Sequence, residues 1–292
     1  MGDNTEMINA VVARCLIDGS FAQLVDADPA AAWNEMNAPA SAWEQLGQLD
    51  CDRLALVAGF IANVKHSELW KPLFGTRSLL RHYGRESDVF SAYCRARGSN
   101  AKTVAERVVS FAKFLTSYLF EHGQDLPILA DVLQHEATIA TFNYASAADF
   151  ARPSPTRERD DEADASVERW QPSPRGLIRV QSYQYDPVAV LDLLSRGEFH
   201  DDTTPIAEDD IFLCYARGSL TEPSRVFHMD PATALVVGAV DGHRTVLDII
   251  QLLPERIATI EMVRTVLVAV AEAGLVESLN IMSEARRDVN VA

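Results

Sequence analysis

Residues 225–254 read RVFHMDPATALVVGAVDGHRTVLDIIQLLP, and this stretch decides how the C-terminal third of the chain folds. Arg225-Val-Phe-His-Met229 is rich in β-branched and aromatic residues and reads as a strand. Asp230-Pro231 then offers a side-chain acceptor at an N-cap and a proline at the first helical position, so ATALVVGAV begins a helix. Asp241-Gly242 stops that helix. Thr245 caps a second one, VLDIIQLL, which ends near Pro254.

The reading extends in both directions. Upstream, Ile211-Phe-Leu-Cys-Tyr215 is a further strand, joined to the first through Gly218 and Pro223. Downstream, Thr259 opens a third helix from Ile260 to Ala273, which Gly274 ends. Two strands and then three short helices is the order of a winged-helix domain whose wing comes first. It would span 208–280 and leave a tail at 281–292.

Before this module, residues 175–207 hold an alternating strand at Gly176–Tyr183 and a helix, VAVLDLLSR, capped by Asp186-Pro187 and closed by Gly197. This strand–helix piece is expected to pack on a flanking domain. Residues 151–174, ARPSPTRERDDEADASVERWQPSP, concentrate proline, serine and charge with almost no apolar anchor before Trp170. Such a segment cannot bury enough surface to offset its ordering entropy, so it reads as a flexible acidic linker.

Residues 1–150 read as helical throughout. Met7–Ile17 is amphipathic, Asp28-Pro29 starts AAAWNEM, Pro39–Trp43 starts another helix, and Asp50 is placed to cap LALVAGFIANV. Val108, Phe111, Leu115, Tyr118 and Leu119 make one apolar face; Leu129, Val132, Leu133, Ile139 and Ala140 make another. The fold class is therefore α+β, mostly helical.

Composition narrows the function classes. The 292 residues are 48% hydrophobic and 23% charged, the balance of a globular protein. No apolar run is long enough to span a bilayer and no signal pattern opens the chain, which points to the cytoplasm. A net charge of −16 argues against nucleic acid as a ligand, because that affinity rests on Lys and Arg displacing counterions. Cys15, Cys51, Cys94 and Cys214 lie far apart, as reduced thiols rather than a disulfide or zinc framework.

The C-terminal residues resemble a known module. A strand, a helix ending in an Asp-Gly turn, a Thr-capped second helix and a third closing at Gly-Leu are similar to the PqqD-like recognition element. That family serves ribosomally synthesised and post-translationally modified peptides (RiPPs). The match covers residues 209–278. Phe111–Leu115, followed by Leu126-Pro-Ile-Leu-Ala-Asp-Val-Leu-Gln-His-Glu136, resembles partner subunits of multinuclear iron oxidases in peptide natural-product pathways. The methanobactin and 3-thiaglutamate systems are examples, and the domain combination looks most like the TglI/MbnC type. His135 before the glutamate departs from the usual pattern.

The resemblance implies a RiPP biosynthesis accessory subunit that is not itself catalytic. It would bind a precursor's leader peptide and form a heterodimer with an iron-dependent oxidase acting on a peptide cysteine. No cofactor is expected in this chain, and the iron is expected in the partner. In that family the leader adds a strand to the wing edge and lies against the third helix. Here that implies Val226, Phe227, His228 and Met229 on the strand, with Arg264, Thr265, Val268 and Glu272 on the helix. On the third helix Met262, Val263, Val266, Leu267, Ala269, Val270 and Ala271 form an apolar arc wider than a small core needs, leaving surface for a ligand, another subunit or the helical domain of the same chain.

Other chemistries find less support. None of the seven histidines pairs with a second ligand at helical spacing, and His135-Glu136 lacks the second histidine of a metalloprotease motif. No nucleophile elbow or phosphate-binding loop occurs. Glu136 falls on the face of Leu129, Leu133 and Ala140, where a carboxylate needs a partner; a structural hydrogen bond is expected there. Two rivals remain: a winged-helix transcription regulator, which would need a basic third helix, and a stand-alone enzyme using the helical domain.

Overall fold

The computed structural model describes residues 2–17, 19–50, 67–96, 103–150, 167–201 and 210–277. The chain is α+β and mostly helical, with one small three-stranded antiparallel sheet among the described residues. It divides into two compact units, Met1–Ala137 and Thr138–Ala292.

The first unit is helical. Helices α1 (Gly2–Ile17), α2 (Gly19–Ala27), α3 (Pro29–Glu35) and α4 (Ala40–Leu46) share a core built on Val11, Phe21, Trp33 and Leu46. Asp28 caps α3 by accepting from the Ala31 N–H, with Pro29 at the first helical position. Four more helices follow: α5 (Phe74–His82), α6 (Glu86–Ala96), α7 (Val104–Glu121) and α8 (Pro127–Asn143). Thr103 and Glu106 form a reciprocal capping box at the start of α7, whose Val108, Phe111, Leu115 and Leu119 are buried. The segment that Asp50 was expected to cap lies outside the described residues.

The division between units falls inside α8, not at the composition change near residue 150. Its physical cause is the last turns of α8, where Ile139 and Phe142 pack against the sheet of the second unit. A four-residue helix, α9 (Ala147–Phe150), comes next.

In the second unit, β1 (Leu177–Tyr183) is followed by α10 (Pro187–Arg196), β2 (Ile211–Arg217) and β3 (Arg225–Met229). The strands pair antiparallel in the order β1-β2-β3, with Val180 opposite Cys214 and Cys214 opposite Phe227. The strand of the strand–helix segment packs on the C-terminal module, as β1 pairs with β2 and completes this sheet. Three helices close the unit: α11 (Pro231–Ala239), α12 (Val246–Leu252) and α13 (Ile260–Glu272), capped by Asp230, Thr245 and Thr259 as expected.

Strand alternation sends side chains to both faces of the sheet. Cys214 and Ala216, with Ile178, Val180, Phe227 and Met229, pack against α11–α13 through Val236, Ile249, Val263 and Leu267. Leu213, Tyr215 and Tyr183 face the other way, onto Phe142 and Ile139 of α8. There the Tyr183 and Tyr215 hydroxyls lie 2.6 Å apart, and the Gln181 Oε1 accepts from Tyr183 at 2.6 Å and from Thr138 at 2.9 Å. The hydroxyls of Thr138, Tyr183 and Tyr215 thus each have a partner.

The end of the polar stretch read as linker is also ordered. The Trp170 carbonyl accepts from the Val246 N–H, that of Pro172 from Gly242, and that of Ser173 from Glu277, while the Arg175 N–H donates to Leu275. Backbone pairing with the α11–α12 junction and with the residues after α13 does here what apolar side chains do elsewhere, and Trp170 adds its ring to the core.

Arg217, the last residue of β2, ties the sheet to α8. Its Nη1 donates to the Phe142 carbonyl at 2.5 Å and to the Asn143 carbonyl at 3.0 Å. Its Nη2 reaches the Leu220 carbonyl at 2.6 Å and its Nε the Glu222 carbonyl at 2.9 Å. One guanidinium thereby serves two orphan carbonyls at a helix C-terminus and two in the β2–β3 turn.

Gly176 packs against this corner. It has φ +80°, and a Cβ there would meet the Arg217 carbonyl oxygen at 2.3 Å. Gly197, also at positive φ, would meet nothing within 4 Å. Gly197→Ala is therefore expected to cost only the conformational strain, about 1 kcal/mol. Gly176→Ala must also displace backbone and is expected to cost several times more. Thermal melts of the two variants beside the parent chain check this; equal costs would refute the close approach.

Candidate functional site

The edge of the sheet is the first feature that could take a ligand. Strand β3 pairs with β2 and with no other strand among the described residues, so its outer backbone groups face away from the ladder. Its residues fall on two faces. Phe227 and Met229 turn toward α11–α13, both half-buried. Val226 turns toward Tyr215 and α8. His228 shares that second face, where its Nε2 lies 2.9 Å from the Asp186 Oδ2.

Asp186 is itself occupied. Its Oδ1 accepts from the Val188 and Ala189 N–H groups at 2.9 and 3.2 Å, capping α10. The structure thus separates the four strand residues that the sequence put together. Phe227 and Met229 present side chains on the α13 side, while Val226 and His228 belong to the opposite face.

Helix α13 supplies the other wall. Val263, Leu267 and Val270 are buried, and Met262 and Val266 pack half-buried against the same core. The expected apolar surplus is therefore narrower than the sequence count gave, because two residues assigned to it serve the core. Arg264, Thr265 and Glu272 are exposed, with the Thr265 hydroxyl donating back to the Glu261 carbonyl at 2.8 Å. Val268 is half-buried on that polar flank.

Between the start of β3 and the end of α13 lies an open cleft of about 340 Å³. Arg175, Pro223 and Arg225 line one side, and Glu272, Ala273 and Gly274 the other. The two arginines were not among the residues picked from sequence. Arg175 sits in the stretch around the expected linker boundary, and only the fold brings it beside Arg225. A second cleft, of about 390 Å³, runs along β1 and α11, where Leu235 and Leu252 are exposed.

The first unit holds one unusual titratable group. Glu136 on α8 is buried, and its two carboxylate oxygens accept from the Gly75 N–H at 2.6 Å and the Thr76 N–H at 2.8 Å. These are donors in the first turn of α5, so Glu136 satisfies a helix N-terminus from outside that helix. The expected structural hydrogen bond is thus a pair of them. Burial pushes its pKa up to about 7, against the pull of the Thr76 and Gly75 donors. His135 beside it is also buried.

Cys15 and Cys214 are buried and in no disulfide, and burial pushes the Cys214 thiol up to about 12, which leaves it unreactive. Among the described residues no group of three or more His, Cys, Asp or Glu side chains is placed to hold a metal ion. None of the described helices is long and apolar enough to cross a membrane. Neither the protein-family models nor the curated proteins give a match to this chain.

The Glu136 geometry fixes a pH dependence. A carboxyl with a raised folded-state pKa contributes stability that is complete below its unfolded value, 4.5, and lost as pH rises through about 7. Stability is expected to fall across that window by on the order of 3 kcal/mol from this group. Glu136→Gln removes the titration but leaves one amide donor unmatched. It should melt lower at pH 5 and show a flatter profile to pH 7.5, as read by thermal denaturation. An unchanged slope would contradict the assignment.

Proposed function

We propose that this chain is a peptide-recognition subunit, which holds the leader of a precursor peptide at the edge of β3 and against α13. The observation that carries this reading is an edge strand with no outer partner among the described residues, beside a cleft that reaches the end of a helix. An extended peptide gains main-chain hydrogen bonds from such an edge, and the pockets beside it select alternate side chains. The order of the second unit, an antiparallel sheet and then three capped helices, supports the winged-helix reading. It also supports the likeness to the PqqD-like recognition element.

In this proposal the helical unit engages a multinuclear iron oxidase in the cytoplasm. The complex modifies a cysteine of the bound peptide, as the resemblance to the TglI/MbnC type implies. Tethering the leader raises the effective concentration of the reacting residue at the partner's metal, so this chain needs no catalytic group of its own. The transcription-regulator alternative is disfavoured by the charge of α13, which carries Arg264 against Glu261 and Glu272.

Two measurements test the proposal. Phe227→Pro removes one backbone donor from the edge strand and disturbs its neighbours. Affinity for the leader of a precursor encoded beside this gene should fall at least about tenfold, or roughly 1.4 kcal/mol, by calorimetry. Val268→Glu, on the outer flank of α13, should weaken binding while its thermal melt stays near that of the parent. If both variants fold and bind as the parent does, the peptide does not use this groove. Separately, the chain purified alone is expected to be free of iron, and a co-expressed oxidase to co-elute with it carrying the metal. Iron retained stoichiometrically by the isolated chain would overturn the non-catalytic role.

A further inference from the structure

We infer that the turn end of the β3–α13 groove recognises a carboxylate, so that Arg175 and Arg225 together bind an Asp or Glu side chain of the docked peptide. The inference rests on the peptide-docking reading proposed above and goes further by naming the chemistry of one ligand position.

The first argument is convergence. A Cβ built on Gly274 would lie 3.7 Å from Arg175 Nη1 and 3.8 Å from Arg225 Nη2. Two guanidinium groups from distant parts of the chain thus flank one point at the end of α13. Gly274 has φ +73° and closes that helix, and its lack of a side chain keeps the space between the two nitrogens open.

The second argument is that both cations are unspent. The chain has 42 acidic against 26 basic residues, and several of its described arginines are taken up. Arg77 and Arg81 share Glu86, Arg107 meets Glu68, and Arg217 donates to four carbonyls. Neither Arg175 nor Arg225 has a carboxylate within ion-pair distance or a side-chain hydrogen bond among the described residues. Arg225 is instead held over the Phe227 ring, with its guanidinium carbon 5.3 Å from the ring centroid. That stacking orients the fork before a ligand arrives, which lowers the entropy cost of binding.

The third argument is the setting. Glu222 and Glu272 also line this cleft. The Glu222 carboxylate is folded over Gly218, 2.5 Å from where a Cβ of that glycine would be. Acidic groups around a paired arginine site repel a carboxylate everywhere except where both guanidinium forks reach it, so the site discriminates by position as well as charge.

The test selects displayed random dodecapeptides on the full-length chain and then measures the recovered peptides in solution. Peptides are expected to carry apolar residues at alternate positions and an Asp or Glu at one fixed offset. Replacing that acid by its amide should weaken binding about tenfold by calorimetry. The double variant Arg175→Gln/Arg225→Gln should bind the acid and amide forms alike, with its thermal melt unchanged. Amide hydrogen exchange locates the site, since a docked peptide should protect residues 225–229. Peptides that give this protection but show no acid preference, a basic preference, or an acid preference that survives in the double variant would overturn the inference alone. Recovery of no peptide, or of peptides that leave 225–229 unprotected, would overturn the docking reading and the inference with it.

Discussion

The guanidinium of Arg217 is the constraint on which the second unit depends. It sits where three pieces meet: the C-terminus of α8, the end of β2, and the turn that returns the chain as β3. The helix end and the turn each contribute carbonyl groups that have no partner in their own element, and the planar fork carried by the end of β2 serves them together where a lysine could not. The position of β3 follows from this corner. So does the close approach of Gly176, whose missing side chain lets the start of β1 lie against the Arg217 carbonyl. Arg175, adjacent to that glycine, is delivered to the cleft by the same packing.

Much of the local structure was legible from the sequence because it is set by near neighbours. Asp28-Pro29, Asp186-Pro187 and Asp230-Pro231 each pair an acceptor at the N-cap with a pre-shaped first helical residue, and each begins a helix in the structure. Thr245 and Thr259 act by the same short-range logic. What sequence could not convey was long-range pairing. The strand at Leu177–Tyr183 was recognisable, but its partnership with β2 joins residues on either side of a whole helix. The stretch from Trp170 to Arg175 has the composition of a linker and is fixed by backbone hydrogen bonds, to which composition is blind.

The candidate site was legible to a similar depth. The edge strand and the third helix could be picked out, and Phe227 turns toward the three-helix side of the sheet. The two faces of β3 follow from strand alternation once the register is known, and the register places His228 with Asp186 instead of in the groove. Met262 and Val266 look like surplus on a helical projection, yet a core assembled from three helices and a sheet is wide enough to use them. The arginines at the end of the cleft carried no signal at all, since nothing near either residue in sequence marks the other.

Both faces of the sheet are covered, one by α11–α13 and the other by the end of α8. A fourth strand can therefore enter only in the plane of the sheet, at a margin where neighbouring positions lead to unlike surroundings. On one side of that margin lie Phe227, Met229 and the wall of α13; on the other lie His228 and the acidic cap of α10. A guest shifted by a single residue would exchange these surroundings for every one of its side chains. On the docking proposed above, this margin sorts incoming sequences by whether their apolar positions are even or odd, a selection made before any individual pocket is filled.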